Sequence, residues 1–376
     1  MIAPGLLPRA LSIALALLVA PPGASASASA ARQAVGPGDR VVLDSTDAEL
    51  RIERRVVADG KIHRVYTVLQ ANGPWLFLEA EDVAGWARAD RVIPFDRALE
   101  AATARIDSGD AAAEDYNARG LLWADRGRPD LADADFTEAL RLDPEWYLPL
   151  LNRGEARLTA GRLDEAKSDL SRAAELAPLD PLPYYDRGLV LLEQRLPREA
   201  YASFGLALRV DPNHAASRFN RAAVALALGI DGAAADAEAY LALVGWYESL
   251  SPYAAILAAL EHRRDGRPEQ ADGLISAASE HLDPESWPSP ILSYLAGDLG
   301  LDDLLSAATT PDQQAEARSY AGLALTHADD PDAARPLLEW VVERSEPTRI
   351  PHLLARSTLA PLPEPTPPDA PPDPGP

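Results

Sequence analysis

The side chains best suited to chemistry are thinly spread in this 376-residue sequence. Its six histidines are His63, His214, His262, His281, His327 and His352, no two of them three to five residues apart, and there is no cysteine. A metal needs several such ligands converging, usually from short spacings, so no metal site is expected. Neither a glycine-rich phosphate loop nor a G-x-S-x-G elbow occurs. With 58 Asp and Glu residues in the chain, no pair of carboxylates stands out as a general acid and base. These residues predict a protein that is not an enzyme and holds no cofactor.

Arginine does show order. Arg119, Arg153, Arg187 and Arg221 recur every 34 residues, either as an anion-binding stripe or as one half of a set of internal ion pairs. Asp135, Asp169 and Asp236 recur at one position of the following segments, where they can meet those arginines across a helix hairpin, and internal pairing accounts for them better.

A repeat must position these groups. Pro144, Pro178 and Pro212 share the 34-residue spacing, and counting back from each brings other residues into register. The first unit has Tyr116, Gly120, Trp123, Ala132, Phe136 and Ala139; the second has Leu150, Gly154, Ala166, Leu170 and Ala173. The third has Tyr184, Gly188, Leu191, Ala200, Phe204 and Ala207. A fourth opens with Arg218, Ala222 and Ala225, and its second helix resumes one residue early at Ala233. The glycines let two helices approach, with Ala132, Ala166 and Ala200 expected opposite them. The large residues four positions later are expected to fill the gap to the next repeat. Each proline falls past a helix end, where a missing N–H costs little.

This pattern resembles the tetratricopeptide (TPR) repeat, in a bacterial subtype whose first helices carry Arg-Gly (Arg119-Gly120, Arg153-Gly154, Arg187-Gly188). The resemblance implies a mainly α fold, a superhelix of helix hairpins (an α-solenoid) over about 96–345, with repeats near 113–146, 147–180, 181–214 and 215–247. Asp96 to Ser108 reads as a preceding half repeat. Tyr253 to Arg264 with Pro268 to Glu280, and Gln314 to His327 with Pro331 to Arg344, read as divergent hairpins.

It also implies a concave face lined by the residue after each Tyr/Leu position, namely Asn117, Leu151, Tyr185 and Phe219. Asn152 and Asn220 beside them would bond a peptide backbone. The alternative is that the chain's own C-terminal helices cover these aromatics.

Over about 110–345 the chain is similar to the NlpI-type periplasmic TPR family. The supporting residues are Trp287-Pro288-x-Pro290, Tyr294-x-x-Gly297, Leu304-Leu305, Ala307, Glu316-Ala317-x-x-Tyr320-x-Gly322 and Leu338-Glu339-Trp340-Val341. That likeness implies an adaptor docking an envelope protease or a peptidoglycan hydrolase, although the lipidated cysteine of a lipoprotein is missing.

Residues 36–95 carry short β-type runs, Arg40 to Leu43, Val65 to Leu69 and Trp75 to Leu78, divided by turn signals. They predict a small curved barrel. Gly38-Asp39-x-Val41, Trp75-Leu76-x-Leu78, Gly85-Trp86 and Val92-x-Pro94 resemble a bacterial SH3-like domain. Such domains imply binding of peptidoglycan or short peptides, the alternative to partner binding in the repeats.

Arg9, the apolar run Leu11 to Ala20, and the Ala-Ser alternation up to Ala30 read as a secretory signal peptide over 1–30. The run is too short to span a bilayer, which needs about 20 residues. An exported protein of the periplasm or exterior is expected, without an integral membrane span. Its net charge of −23 repels phosphate backbones and argues against nucleic acid as a partner. The Pro-rich, acidic stretch 361–376 predicts a disordered tail.

Overall fold

The computed structural model describes residues 35–43, 49–52, 55–59, 65–80, 83–246 and 248–362. The signal segment 1–30 and all but the first two residues of the 361–376 tail lie outside them. The described chain forms two compact units, the first ending at Arg187 and the second starting at Gly188.

The first unit opens with seven strands: β1 (Arg40–Leu43), β2 (Glu49–Ile52), β3 (Arg55–Asp59), β4 (Val65–Asn72), β5 (Trp75–Ala80), β6 (Val83–Arg88) and β7 (Val92–Pro94). They make one antiparallel sheet in the order β3-β2-β6-β5-β4-β1-β7. Strands β4 and β5 join through the two-residue loop Gly73-Pro74, with Asn72 opposite Trp75. Gly73 supplies the positive φ such a loop requires. Bulges at Leu50/Arg51 and between Val68 and Gln70 add twist.

One face of the sheet buries Val41, Leu43, Leu50, Tyr66, Val68, Leu76, Leu78, Ala87 and Val92. Val42 points the other way, into a second cluster with Phe95, Ala98, Leu99, Ala102 and Leu122. Strand β1 is therefore covered on both faces, which is why it reads as an unbroken apolar run. A domain this small buries little by itself, and the second cluster is shared with the helices that follow.

Those helices are α1 (Phe95–Asp107), α2 (Ala113–Asp125), α3 (Pro129–Leu142), α4 (Tyr147–Thr159), α5 (Leu163–Leu176) and α6 (Leu182–Glu193), the last running into the second unit. There follow α7 (Pro197–Val210), α8 (Ala215–Leu228), α9 (Ala233–Val244), α10 (Ser251–Arg264), α11 (Pro268–Ser279), α12 (Ser289–Ala296) and α13 (Leu301–Ala307). The order closes with α14 (Pro311–His327), α15 (Pro331–Arg344) and α16 (Ile350–Leu359).

Within four of the hairpins a glycine of the first helix meets a large residue sixteen positions later. A Cβ on Gly120 would lie 2.7 Å from the Phe136 ring, and one on Gly154 would lie 2.7 Å from Leu170. On Gly188 it would run into Phe204, and on Gly322 it would lie 2.6 Å from Leu338. The sequence reading aimed the large residues at the next repeat; Phe136 does pack with Ala156 there, but it and its counterparts also fill the space at the glycine, and the Ala334 carbonyl lies 3.6 Å from a Cβ on Gly322. The glycine makes room for a ring or a leucine inside its own hairpin. Ala132, Ala166, Ala200 and Ala334 are all fully buried. The recurrence at Gly322 and Leu338 shows that α14 and α15 use the same packing as the regular repeats.

Helix α10 is buried along its whole length from Ser251 to His262. It packs against α8, α9, α11 and α14, and its sequence is accordingly apolar all round rather than striped. The fold is thus a set of tetratricopeptide-type helix hairpins preceded by a small antiparallel sheet.

Candidate functional site

The six residues expected on a concave face are all buried: Asn117, Leu151 and Asn220 completely, Asn152 and Tyr185 at 1%, and Phe219 at 4% exposure. They do not form an open surface. Asn152 Nδ2 donates to Asn117 Oδ1 over 3.0 Å, linking α4 to α2. That bond leaves Asn117 Nδ2 and Asn152 Oδ1 buried without a partner among the described residues. Phe219 packs against Tyr240 of α9 at 5.6 Å between ring centres, and Asn220 Nδ2 donates to the Ala216 carbonyl, 3.0 Å. Burial comes from both sides of α8, since α10 packs on it as well as α9, and so does α16. Ile350 to Ala355 of α16 are buried without interruption.

The arginine ladder pairs internally. Arg119 binds Asp135 through two bonds of 2.8 and 2.7 Å. Arg153 binds Asp169 at 2.9 and 2.8 Å, and Arg221 binds Asp236 at 2.6 Å twice. The last interval is fifteen residues instead of sixteen, matching the early second helix of that repeat. Arg157 adds a second guanidinium to Asp169 at 2.8 Å and reaches Asp133 at 2.6 Å. In the third repeat Ser203 stands where the aspartate recurs. There the Arg187 guanidinium lies over the Tyr184 ring at 5.6 Å, and burial lowers its pKa.

A buried acid that carries no obvious structural signal lies in the second unit. Glu316 of α14 is 3% exposed. Its Oε2 accepts from Trp287 Nε1 at 2.6 Å and from Tyr253 Oη at 3.0 Å. Burial raises its pKa to about 7, against the pull of those two donors. Tyr253 is raised too, first by burial and then by the Glu316 charge. The sequence singled out Trp287 and Glu316 only as parts of a motif, and gave no sign that they touch.

Two further groups face outward. On the β5–β6 ribbon, Trp75, Phe77 and Trp86 share the face opposite the sheet core. Phe77 pairs with Trp86, with ring centres 5.2 Å apart, and Trp75 is 37% exposed. Alternation along β5 would have found Phe77. On α14 and α15, the guanidiniums of Arg318 and Arg344 lie 4.1 and 5.4 Å from the centre of the Trp340 ring. The i, i+4 spacing of Trp340 and Arg344 is the one sequence signal for that group.

A cleft of about 550 Å³ in the first unit is lined by Val35, Gly38, Asp39, Arg40, Pro94, Phe95, Asp96 and Arg126. Both its arginines are already neutralised. Arg40 pairs with Asp125 while stacking on Phe95 at 4.5 Å, and Arg126 pairs with Asp96 at 3.1 Å. Among the described residues no three His, Asp or Glu side chains gather in a way that would hold a metal ion, and no helix is long and apolar enough to cross a membrane.

No protein-family profile matches the chain, and no curated protein matches it. Solved structures similar to part of it include YrrB, a TPR protein with an unusual peptide-binding site, at 21% identity over 54% of this chain and 100% of that one, TM-score 0.44. MamA is similar at 19% identity over 43% and 93% of the two chains, TM-score 0.39. A tetratricopeptide repeat protein from Parabacteroides merdae ATCC 43184 is similar at 15% identity over 66% and 98%, TM-score 0.47.

Proposed function

We propose that the chain is an exported, non-catalytic scaffold that holds a partner protein through its helix hairpins. The observation that carries this reading is α16. A separate helix of the chain docks on α8, α14 and α15, burying the consecutive residues Ile350 to Ala355. Ser319 Oγ fixes it by donating to the Pro351 carbonyl, 2.9 Å. Hairpins of the second unit therefore accept an apolar helix laid across them, which is a common mode of partner capture. Phe219 and Asn220 serve that face from beneath within α8 and do not touch the partner themselves, while Asn117, Leu151, Asn152 and Tyr185 are core residues of the first unit. Export rests on the signal-like segment 1–30, and an envelope protease or peptidoglycan hydrolase is the partner class that the NlpI-type resemblance implies.

Cross-linking of the full-length mature protein in an envelope extract, with mass spectrometry of the products, tests this. The expected result is saturable capture of one or a few proteins, competed by unlabelled chain, with cross-links mapping to helices α2 to α16. Failure of competition, or cross-links confined to the sheet, overturns it.

A second reading has its own observation. The outward Trp75, Phe77 and Trp86 side chains form an aromatic platform on an SH3-like domain that would bind peptidoglycan. Cosedimentation of the full chain with intact peptidoglycan, lost in the Trp75→Ala, Trp86→Ala double variant, supports that reading. Cosedimentation unchanged in the variant, or absent altogether, counts against it.

A further inference from the structure

Arg318 and Arg344 stand out in a chain with 58 acidic residues against 35 basic ones. Arg119, Arg153, Arg157 and Arg221 are each held by an aspartate. Arg318 and Arg344 instead converge on one indole, Trp340. Among the described residues neither makes an ion pair; Arg318 donates to the Gln314 carbonyl, 3.1 Å. Burial, then the charge of Arg344, lowers the pKa of Arg318. The nearby acids do not answer this charge. Glu339 is turned to Arg335 at 3.6 Å, and Glu343, adjacent to Arg344 in a helix, projects along a different direction.

The support is rigid. Gly322 and Leu338 clamp α14 to α15. Trp340 packs on the cluster Ala315, Ala334, Leu338, Val341 and Ala355, as do Leu359 and Leu362. Leu362 therefore brings the chain to the same cluster that seats Trp340. Glu364 follows two residues later, within about 7 Å of backbone reach. Asp369 and Asp373 come after it, and residues 357–376 contain no Lys or Arg.

We propose that Arg318 and Arg344, set against Trp340, form a carboxylate-binding site whose ligand is the chain's own acidic, proline-rich segment 363–376, engaged first through Glu364. Carboxylate to guanidinium is a charge-assisted pairing. A proline-rich segment gives up little conformational freedom on docking because it is already biased to the extended polyproline form. The covalent link raises the local concentration of the carboxylates to the millimolar range. The site goes beyond the scaffold reading, since it does not depend on any partner being captured.

The test uses two full-length chains: the wild type, and a neutral-tail variant carrying Glu364→Gln, Asp369→Asn and Asp373→Asn. A synthetic peptide of residues 361–376 is titrated into each by calorimetry. The peptide is expected to bind the neutral-tail chain at least tenfold more tightly than the wild type, whose site is already filled, with affinity falling as salt rises. Adding Arg318→Gln and Arg344→Gln to the neutral-tail chain should abolish binding. Equal binding to both chains, no binding to either, or binding indifferent to the arginine changes overturns the proposal. Should the arginine variant not fold, the Nε–Hε resonances of Arg318 and Arg344 decide the matter. They should shift between wild-type and neutral-tail chains, and coincident resonances overturn the proposal equally.

Discussion

The indole of Trp287 donates to the carboxylate of Glu316 over 2.6 Å, joining the loop before α12 to the middle of α14. Tyr253 of α10 donates to the same oxygen at 3.0 Å. One acidic side chain thus ties three segments of the second unit, in surroundings where a charge is costly.

That geometry fixes a pH dependence. Burial lifts the Glu316 pKa to about 7, above the value of roughly 4.3 of an unfolded chain. The folded state therefore holds a proton that the unfolded state has lost between these values. Stability from this group is fully present below about pH 4 and declines as pH rises toward 7. Tyr253, Tyr320, Trp287, Asp312 and Arg349 surround it, and both tyrosines stay neutral over this range. Glu316→Gln keeps an acceptor oxygen for both donors but carries no charge. Its melting temperature at pH 8 should exceed the wild type's, and the gap should close by pH 5. A variant less stable than wild type at pH 8 would show that the carboxylate, not the acceptor, is what the site requires.

The glycines give a paired prediction. Gly188→Ala puts a methyl group into the Phe204 ring, and overpacking of this kind costs about 1–3 kcal/mol. Gly273 is also helical, in α11, but a Cβ there meets nothing within 4 Å. Gly273→Ala should stabilise by up to about 1 kcal/mol through helix propensity alone. Urea unfolding of the two variants should move the midpoints in opposite directions. Equal shifts would mean that Phe204 has room to turn aside.

How much of this was legible in the sequence depends on which contacts the repeat dictates. A 34-residue period with Gly, Ala and a large residue in fixed places reports a hairpin, because every repeat must solve the same packing problem. The Arg–Asp pairs were readable for the same reason: two periodic series, one on each helix, have to meet. The groove was not readable. Position in a first helix says which way Phe219 points, but not what lies on top of it. Covering helices such as α10 and α16 come from segments with no repeat register. Trp287 and Glu316, 29 residues apart in divergent sequence, carried no period linking them either.

Burial also settles what truncating the aromatics does. Tyr185 and Phe219 are 1% and 4% exposed, so each is a core side chain. Removing such a ring costs about 3–5 kcal/mol. Tyr185→Ala and Phe219→Ala should each lower the melting temperature clearly, in place of the silent effect that an open groove would give. A double variant that melts with the wild type would restore the open-face view.

The ion-pair ladder makes the sharpest distinction among otherwise similar residues. Asp135 and Asp169 occupy the same position in successive hairpins and are equally buried at 5%. Asp135 receives one guanidinium, from Arg119. Asp169 receives two, from Arg153 and Arg157. Breaking a buried pair from one side leaves the other charge desolvated and unpaired, which costs about 3–5 kcal/mol. Asp169→Asn should therefore be the more damaging change, since it strands two part-buried arginines, of which Arg157 retains Asp133 at 2.6 Å. Arg153 has a further bond to Thr137 Oγ1 at 3.0 Å and, among the described residues, no second carboxylate. Adding Arg153→Met to Asp169→Asn removes the stranded cation and should recover part of the loss. Guanidinium chloride unfolding of the four chains in the cycle checks this. If Asp135→Asn and Asp169→Asn cost the same, or if the second change brings no recovery, the ladder contributes packing alone and its charges are incidental.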